Sequence, residues 1–297
     1  MKAIDKIRCD VCDSEEFFTR YDMDGKYSII ECGRCGLWFS YPILTGEEIG
    51  HMYAKYHEDW GVVGKDEEVH RRMRRVTFQR LFKSLSRFTA PQGRLLDVGC
   101  ATGICMEVGE EFGWDVYGVD ISDEAAEVAR ARFGSRVEAL DLMDTKQTVA
   151  DYYDVIIMTD VLEHLNNVGP AMEKINRMLK PGGIVAIVTV NTGSFFAKIM
   201  RKKWLFIHRQ HLVYFSKKNL KSFLKKTGFD VLRCGAAFKS VNLYYIGEYL
   251  RQKSKDLPQL DGISRIMKGI IGRLPRRIKH CNFMIPTGDI VVIARKG

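Results

Sequence analysis

The stretch Arg94-Leu-Leu-Asp-Val-Gly-Cys-Ala-Thr-Gly103 restricts what this chain can fold into more than any other segment. A short apolar run enters a turn holding two glycines and continues into a helix-compatible segment from Ile104, the strand–turn–helix context that a nucleotide-binding loop requires. Gly99 lets the chain turn sharply, and Gly103 removes a side chain where the backbone must approach a ligand closely. A second apolar run, 114–120, ends in Asp120, about 20 residues beyond the loop, where a carboxylate can accept both hydroxyls of a ribose. Asp97, inside the first run, can bind a cationic or amino-bearing end of the same ligand. The alternation of strand and helix patterns over 94–190 predicts an α/β fold: a parallel sheet with helices on both faces and ligands at the carboxyl ends of the strands. A last strand is expected over 289–294, after a long excursion.

Four more segments extend the pattern: VYGVDIS, ALDLMD, YDVIIMTDVLEHL and LKPGGIVAIVTV. With LLDVGCATG they resemble the class I S-adenosylmethionine methyltransferases over roughly residues 90–235 and the final strand. The resemblance implies a Rossmann-like, seven-stranded sheet whose last strand inserts antiparallel. It also implies S-adenosylmethionine as cofactor. Asp97, Gly99, Cys100 and Gly103 would wrap its methionine part, Asp120 with Ile121 would hold the ribose, and Asp141 with Leu142 would meet the adenine. Cys100 and Ala101 depart from the commoner glycine-rich loop. A dehydrogenase binding NAD would share the glycine loop and the distant acid, but it leaves Lys180-Pro-Gly-Gly183 and the Glu163-His164 pair without a purpose.

The N-terminus carries a separate signal. Cys9-x-x-Cys12 and Cys32-x-x-Cys35 are separated by 19 residues, and each pair can present two thiolates to one tetrahedral Zn²⁺. Four cysteines close the coordination shell, so the zinc is structural and leaves no place for a substrate. A ribbon of about 40 residues buries too little apolar surface to fold without its metal. The expected division is therefore a zinc ribbon over 1–45, a connector and helix over 46–90, and a catalytic domain over 91–297. An aromatic-rich stretch over 37–60 should pack the ribbon onto the neighbouring domain. The helix over 66–89 should present its arginine-rich face to solvent.

Methyl transfer from a sulfonium is an in-line displacement, so the protein must align donor and acceptor and take a proton from a hydroxyl acceptor. His164 follows the fourth strand at the ligand end of the sheet, and His211 lies in His-Leu-Val-Tyr-Phe-Ser216, ahead of a helix capped by Ser216. Either histidine can be the base. Equally, His164 can hold its loop, and His211 with Tyr214 can pin the loop by hydrogen bonds. HLVYFS with the following amphipathic helix and Lys226-Thr-Gly-Phe-Asp230 is similar to the subgroup that includes ubiquinone-biosynthesis O-methyltransferases and methyltransferases of cell-surface glycan clusters. The resemblance points to a small-molecule acceptor, a hydroxyl ahead of a carbon or nitrogen, of a sugar, lipid-linked glycan or quinone-like compound.

Charge is uneven along the chain. The net charge is +9, yet residues 1–60 hold 7 basic and 12 acidic side chains, whereas 236–297 hold 12 basic and 4 acidic. An acidic ribbon is poorly suited to phosphate, which weighs against a ribbon-bearing RNA methyltransferase, the main alternative; a non-catalytic module binding the cofactor is the other. An insertion over 237–288 carries isoleucines at helical spacing and arginines beside them across 263–279. It can close the cleft as a lid or face an anionic membrane. No segment has the roughly 18 to 20 apolar residues of a membrane span, and the start lacks a secretory core, so a cytoplasmic protein is expected, free or membrane-associated. The oligomeric state is left open.

Overall fold

The computed structural model describes residues 7–44, 67–145, 149–256 and 261–297, with Glu48 in addition. Of the aromatic-rich stretch 37–60, residues 37–44 and Glu48 are described; the rest of it, and the connector up to residue 66, lies outside the described residues.

The larger of two sheets has seven strands. In chain order they are β4 (Arg94–Val98), β5 (Asp115–Asp120), β6 (Val137–Ala139), β7 (Tyr153–Thr159), β8 (Leu179–Val190), β10 (Phe229–Val241) and β11 (Phe283–Lys296). Across the sheet the order is β10-β11-β8-β7-β4-β5-β6. Strands β4 to β8 pair in parallel, and β11 runs antiparallel between β8 and β10, as the resemblance implied. The central strands read as continuous apolar runs because both faces are covered. One core, holding Leu96, Ile156, Met172 and Phe223, lies on one face, and another, holding Leu95, Phe82, Met106 and Ile157, lies on the other. Helices α2 (Ile104–Glu111), α3 (Asp123–Phe133) and α4 (Val168–Met178) are the crossovers of the parallel half. The short α5 (Phe195–Met200) comes after β8, and α6 (Lys217–Lys226) leads into β10. Local chemistry starts two of these helices: Ser122 accepts from Ala125 N to begin α3, and Ser216 and Asn219 form a reciprocal capping box on α6.

Three extents differ from the sequence expectation. The helix α1 (Glu67–Leu85) ends at Leu85, and its arginines do not all face solvent: Arg71 and Arg75 pair with the buried Glu107 of α2, which Arg132 also meets at 3.1 Å. The last strand starts at Phe283 and not 289, because Phe283 to Pro286 pair with Val241 to Phe238, and β10 is correspondingly long. The excursion between these strands is therefore shorter than 237–288. It holds helices α7 (Leu243–Asp256), α8 (Asp261–Arg273) and the single turn α9 (Arg276–Lys279).

The N-terminal strands β1 (Phe17–Met23), β2 (Tyr27–Cys32) and β3 (Trp38–Tyr41) form the second sheet, and its fourth strand, β9 (Val213–Tyr214), comes from the catalytic domain. The ribbon is thus built into the rest of the protein, with Ile29, Trp38, Val190, Trp204 and Tyr214 sharing one apolar cluster.

Candidate active site and metal centre

In an open α/β sheet the ligand crevice lies at the carboxyl ends of the strands where their order reverses. Here that point falls between β4 and β7, since the chain proceeds from β4 outward to β6 and then returns to β7. The turn after β4 is shaped for close approach. Gly99 has φ 74° and a Cβ there would sit 2.4 Å from a methyl of Val161; Gly103 has φ 81° and a Cβ there would meet the Phe133 ring at 2.9 Å. Ala101 between them also lies in the left-handed region, at φ 45°. Only glycine meets both the conformation and the space at 99 and 103.

Two carboxylates line this turn. Asp120, ending β5, accepts from Ala101 N at 2.8 Å and from Ser122 N at 2.9 Å, so it fixes the loop as well as facing it. Asp97 is buried in β4, and its Oδ2 has no hydrogen-bond partner among the described residues. Burial, then the charge of Asp120, pushes the Asp97 carboxyl up to about 8. A buried oxygen without a donor is costly, and an ammonium or amino group placed against it would remove that cost. Cys100 is buried beside them, its thiol pushed up by burial. Asp141 and Leu142 follow β6, with Asp141 Oδ1 accepting from Met143 N at 2.7 Å and Leu142 buried, while Ile121 stays half exposed. All eight positions thus fall at the carboxyl ends of three adjacent strands or on the segments that follow them, at one end of the sheet.

The acceptor-side residues assemble differently from a simple open cleft. A 3₁₀ turn, Leu162–His164, follows β7. Glu163 is buried and accepts from Thr189 Oγ1 at 2.8 Å, and burial, then Asp160, pushes its carboxyl up to about 8. His164 Nδ1 donates to Gln210 O at 2.9 Å, and burial lowers the ring to about 4. His211 lies 4.7 Å from the His164 ring and 3.8 Å from that of His208; burial first, then His208, holds it well below the ordinary histidine range. Both rings are therefore neutral near pH 7. Leu212 N donates to Glu163 O and Ser40 Oγ donates to His211 O, so the loop before β9 is tied both to the 3₁₀ turn and to the ribbon. Tyr214 is wholly buried, with its hydroxyl donating to His208 O at 3.2 Å. The structure brings His164, His211 and Tyr214 together, in a knot under the loop. Glu163, His164 and His211 also offer ligand atoms within 4.8 Å of one another.

One group at this end of the sheet was not among the residues singled out from sequence. Asp160, directly after β7, sits at the crevice with φ 57°, a conformation a non-glycine residue adopts at some cost. The available signal was its position: an acid immediately following the strand, four residues before His164.

The four ribbon cysteines converge. Cys9 Sγ lies 3.4 Å from Cys35 Sγ, Cys12 Sγ lies 3.5 Å from Cys32 Sγ, and all four sulfurs are within 4.8 Å of one another. Zn–S bonds of about 2.3 Å at tetrahedral angles put sulfurs about 3.8 Å apart, so the set fits a closed zinc site.

Comparison with known proteins places this geometry. The family model described as a methyltransferase domain matches residues 66–233. Ubiquinone biosynthesis O-methyltransferases from Chelativorans sp. and Nitrobacter winogradskyi are 34% identical over 102 residues and 36% identical over 103 residues, in each case 33% of this chain and 40% and 39% of theirs. The match thus spans about two fifths of those relatives' length. Among solved structures, a SAM-dependent methyltransferase from Archaeoglobus fulgidus has a TM-score of 0.52 at 20% identity, with 82% of this chain and 99% of that one covered. Burkholderia thailandensis 1,6-didemethyltoxoflavin-N1-methyltransferase, with its substrate and S-adenosylhomocysteine bound, has a TM-score of 0.53 at 16% identity, with 93% and 98% covered. At those identities the likeness is one of fold. With the family model covering more than half of its length, the chain belongs to the methyltransferase-domain family.

Proposed function

We propose that this chain transfers the methyl group of S-adenosylmethionine to a hydroxyl of a small-molecule acceptor, of the sugar, lipid-linked glycan or quinone-like class. The observation that carries the reading is Asp97 Oδ2, buried and without a donor among the described residues, beside a glycine turn that leaves no room for a Cβ at 99 or 103. The methionine ammonium of the cofactor supplies the donor that Asp97 Oδ2 lacks. Asp120, fixed by Ala101 N and Ser122 N, takes the ribose hydroxyls, and Asp141 with Leu142 takes the adenine. When bound, the cofactor supplies an activated methyl for in-line displacement. The chain's own task is alignment and proton removal. His164, neutral and fixed in its tautomer by Gln210, is the base; His211 and Tyr214 hold the loop over the acceptor. The names of the ubiquinone-biosynthesis relatives and the substrate-bound toxoflavin enzyme support a small-molecule acceptor in preference to RNA.

In the same reading the N-terminal residues to 45 are a structural zinc ribbon, and 46–90 joins it to the methyltransferase domain. Two-helix α7–α8 is a surface element beside the cleft: Ile271 packs against Gly247 of α7, while Ile266 and Ile270 point away from it. No helix among the described residues is long and apolar enough to cross a membrane.

The test is direct. Zinc-loaded protein should bind S-adenosylmethionine in a calorimeter and move tritium from its methyl group into one member of a panel of sugar, glycolipid and phenolic acceptors. Folded protein that binds no S-adenosylmethionine overturns the reading.

A further inference from the structure

Lys239 projects from β10 at the ligand end of the large sheet, three strands away from β7 in the order β10-β11-β8-β7. Its ammonium nevertheless reaches β7: Nζ lies 2.9 Å from both carboxylate oxygens of Asp160. On the way it meets Asp289 of β11 at 3.0 Å. Asp289 is itself fixed, 1% exposed, accepting from Thr287 Oγ1 at 2.6 Å on the same oxygen, while its Oδ1 is buried with no hydrogen-bond partner among the described residues. Asp160 is the exposed member, with 36% of its side chain open at the crevice.

A staple that served only to join strand ends would gain little from an aspartate in the left-handed region at φ 57°. That backbone cost is repaid where a side chain must be aimed. The lysine has three donors and no acceptor, so it bonds both carboxylates and leaves Asp160 the outward group of the three. Burial works against the charged lysine and the two carboxylates outweigh it, so the ammonium is kept. The three groups together carry one negative charge at the crevice.

We propose that Lys239 is a positioning residue of the acceptor site. Clamped by Asp289, it holds the Asp160 carboxylate at the switch-point crevice, where it accepts a hydrogen bond from the hydroxyl or amino group of a neutral or cationic acceptor. Acceptors bearing a carboxylate or phosphate next to the reacting group are selected against by the uncompensated charge. This rests on the methyltransferase reading for the word acceptor, but the clamp itself is tested without one.

The probe is Mn²⁺ alone, followed by electron paramagnetic resonance on zinc-loaded protein. Lys239→Ala leaves two converging carboxylates with no cation between them, and it should bind one Mn²⁺ more than the unaltered protein, while Lys239→Arg, and Lys239→Ala combined with Asp160→Asn, should not. Equal Mn²⁺ binding by Lys239→Ala and the unaltered protein overturns the clamp, provided the two share the same circular dichroism spectrum and cooperative melting. If Lys239→Ala fails to fold, acetylation by acetic anhydride reads the same contact. Asp160→Asn should raise the acylation rate of Lys239 by about tenfold for each unit its pKa falls, and an unchanged rate overturns the proposal. With an acceptor in hand, Lys239→Met should raise its KM by about tenfold, the worth of one lost hydrogen bond, with kcat little altered and Lys239→Arg restoring KM. A wild-type KM in Lys239→Met also overturns it. Absence of S-adenosylmethionine binding by the unaltered protein, in contrast, sinks the methyltransferase reading and leaves the Mn²⁺ result standing.

Discussion

Trp38 of the cysteine-rich ribbon pairs with Tyr214 of the catalytic domain. The two are cross-strand partners between β3 and β9, their rings 6.4 Å apart and both buried. Ser40, two residues on, donates to the backbone of His211. The ribbon is therefore one wall of the loop that carries His211.

This pairing makes a prediction about the metal. Folded, reduced protein should hold one zinc per ribbon by elemental analysis. Cys32→Ser, at a buried ligand position, should abolish it, since structural zinc contributes on the order of 10 kcal/mol to folding such a unit. The loss should travel through β3 to β9: amide exchange across 206–215 should accelerate and methyl transfer should fall. S-adenosylmethionine affinity should stay within about twofold, because the donor turns share no partner with the ribbon. Unchanged exchange across 206–215 in the zinc-free variant would refute the coupling.

Asp97 gives a pH dependence. Its carboxyl titrates at about 8 in the folded chain against an ordinary 3.8, and burial is the main cause. Below the ordinary value both states hold the proton. As pH rises from there to about 8, the unfolded chain releases it and the native chain does not, so the stability that the protonated group contributes is progressively lost. Asp97→Asn should flatten the fall of Tm over that window in protein without cofactor, leaving the smaller slope due to Glu163, which is shifted the same way. Affinity for S-adenosylmethionine should rise from about pH 6 towards about pH 8, by up to tenfold per unit, as Asp97 ionises to meet the ammonium. A calorimetric affinity independent of pH would contradict this pairing.

Asp120→Ala should weaken S-adenosylmethionine binding by about 2 to 4 kcal/mol, from the loss of a charged acceptor of two ribose hydroxyls. The same carboxylate holds Ala101 N and Ser122 N, so part of the loss comes through a loosened loop. Asp120→Asn, which keeps one acceptor oxygen, should fall between. Calorimetry showing full affinity in Asp120→Ala would reject the ribose role.

The excursion helices make a surface prediction. Ile266 and Ile270 are 66% and 53% exposed on α8, Ile278 is half exposed on α9, and Arg273 and Arg277 are exposed nearby. Ile270 is thus turned to solvent and is not part of a lid's apolar underside. Anionic vesicles should retain the protein at low salt and release it as salt screens the arginines, and Arg273→Glu with Arg277→Glu should weaken retention. Retention that is absent at low salt would assign α7–α8 to the cleft alone.

Much of the donor half was legible along the chain. Predominantly apolar runs at 94–98, 153–159 and 184–190 fit strands covered on both faces, and the glycines at 99 and 103 mark a loop because glycine tolerates its conformation and closeness. The CxxC spacing likewise announced four converging thiols. These features are local: a strand pattern, a turn and a ligand spacing lie within a few residues of one another, so sequence alone determines them.

What sequence could not supply were pairings between distant segments. The two-residue strand β9 is too short to carry any period, and it exists because β3, some 170 residues earlier, offers it an edge. The early start of β11 depends on β10 in the same way, since a mixed run such as Phe-Met-Ile-Pro becomes strand only when a partner satisfies its backbone. Lys239 and Asp160 are 79 residues apart, and nothing near either one announces the other. Burial of His164 and His211, which sets their charge, is likewise a sum over elements from the ribbon to the fourth strand of the large sheet. The sequence by itself determined the strands, the cofactor-type turn and the metal-type cysteines; which side chains meet at the acceptor end, and in what charge state, was decided only when the sheet brought its strand ends together.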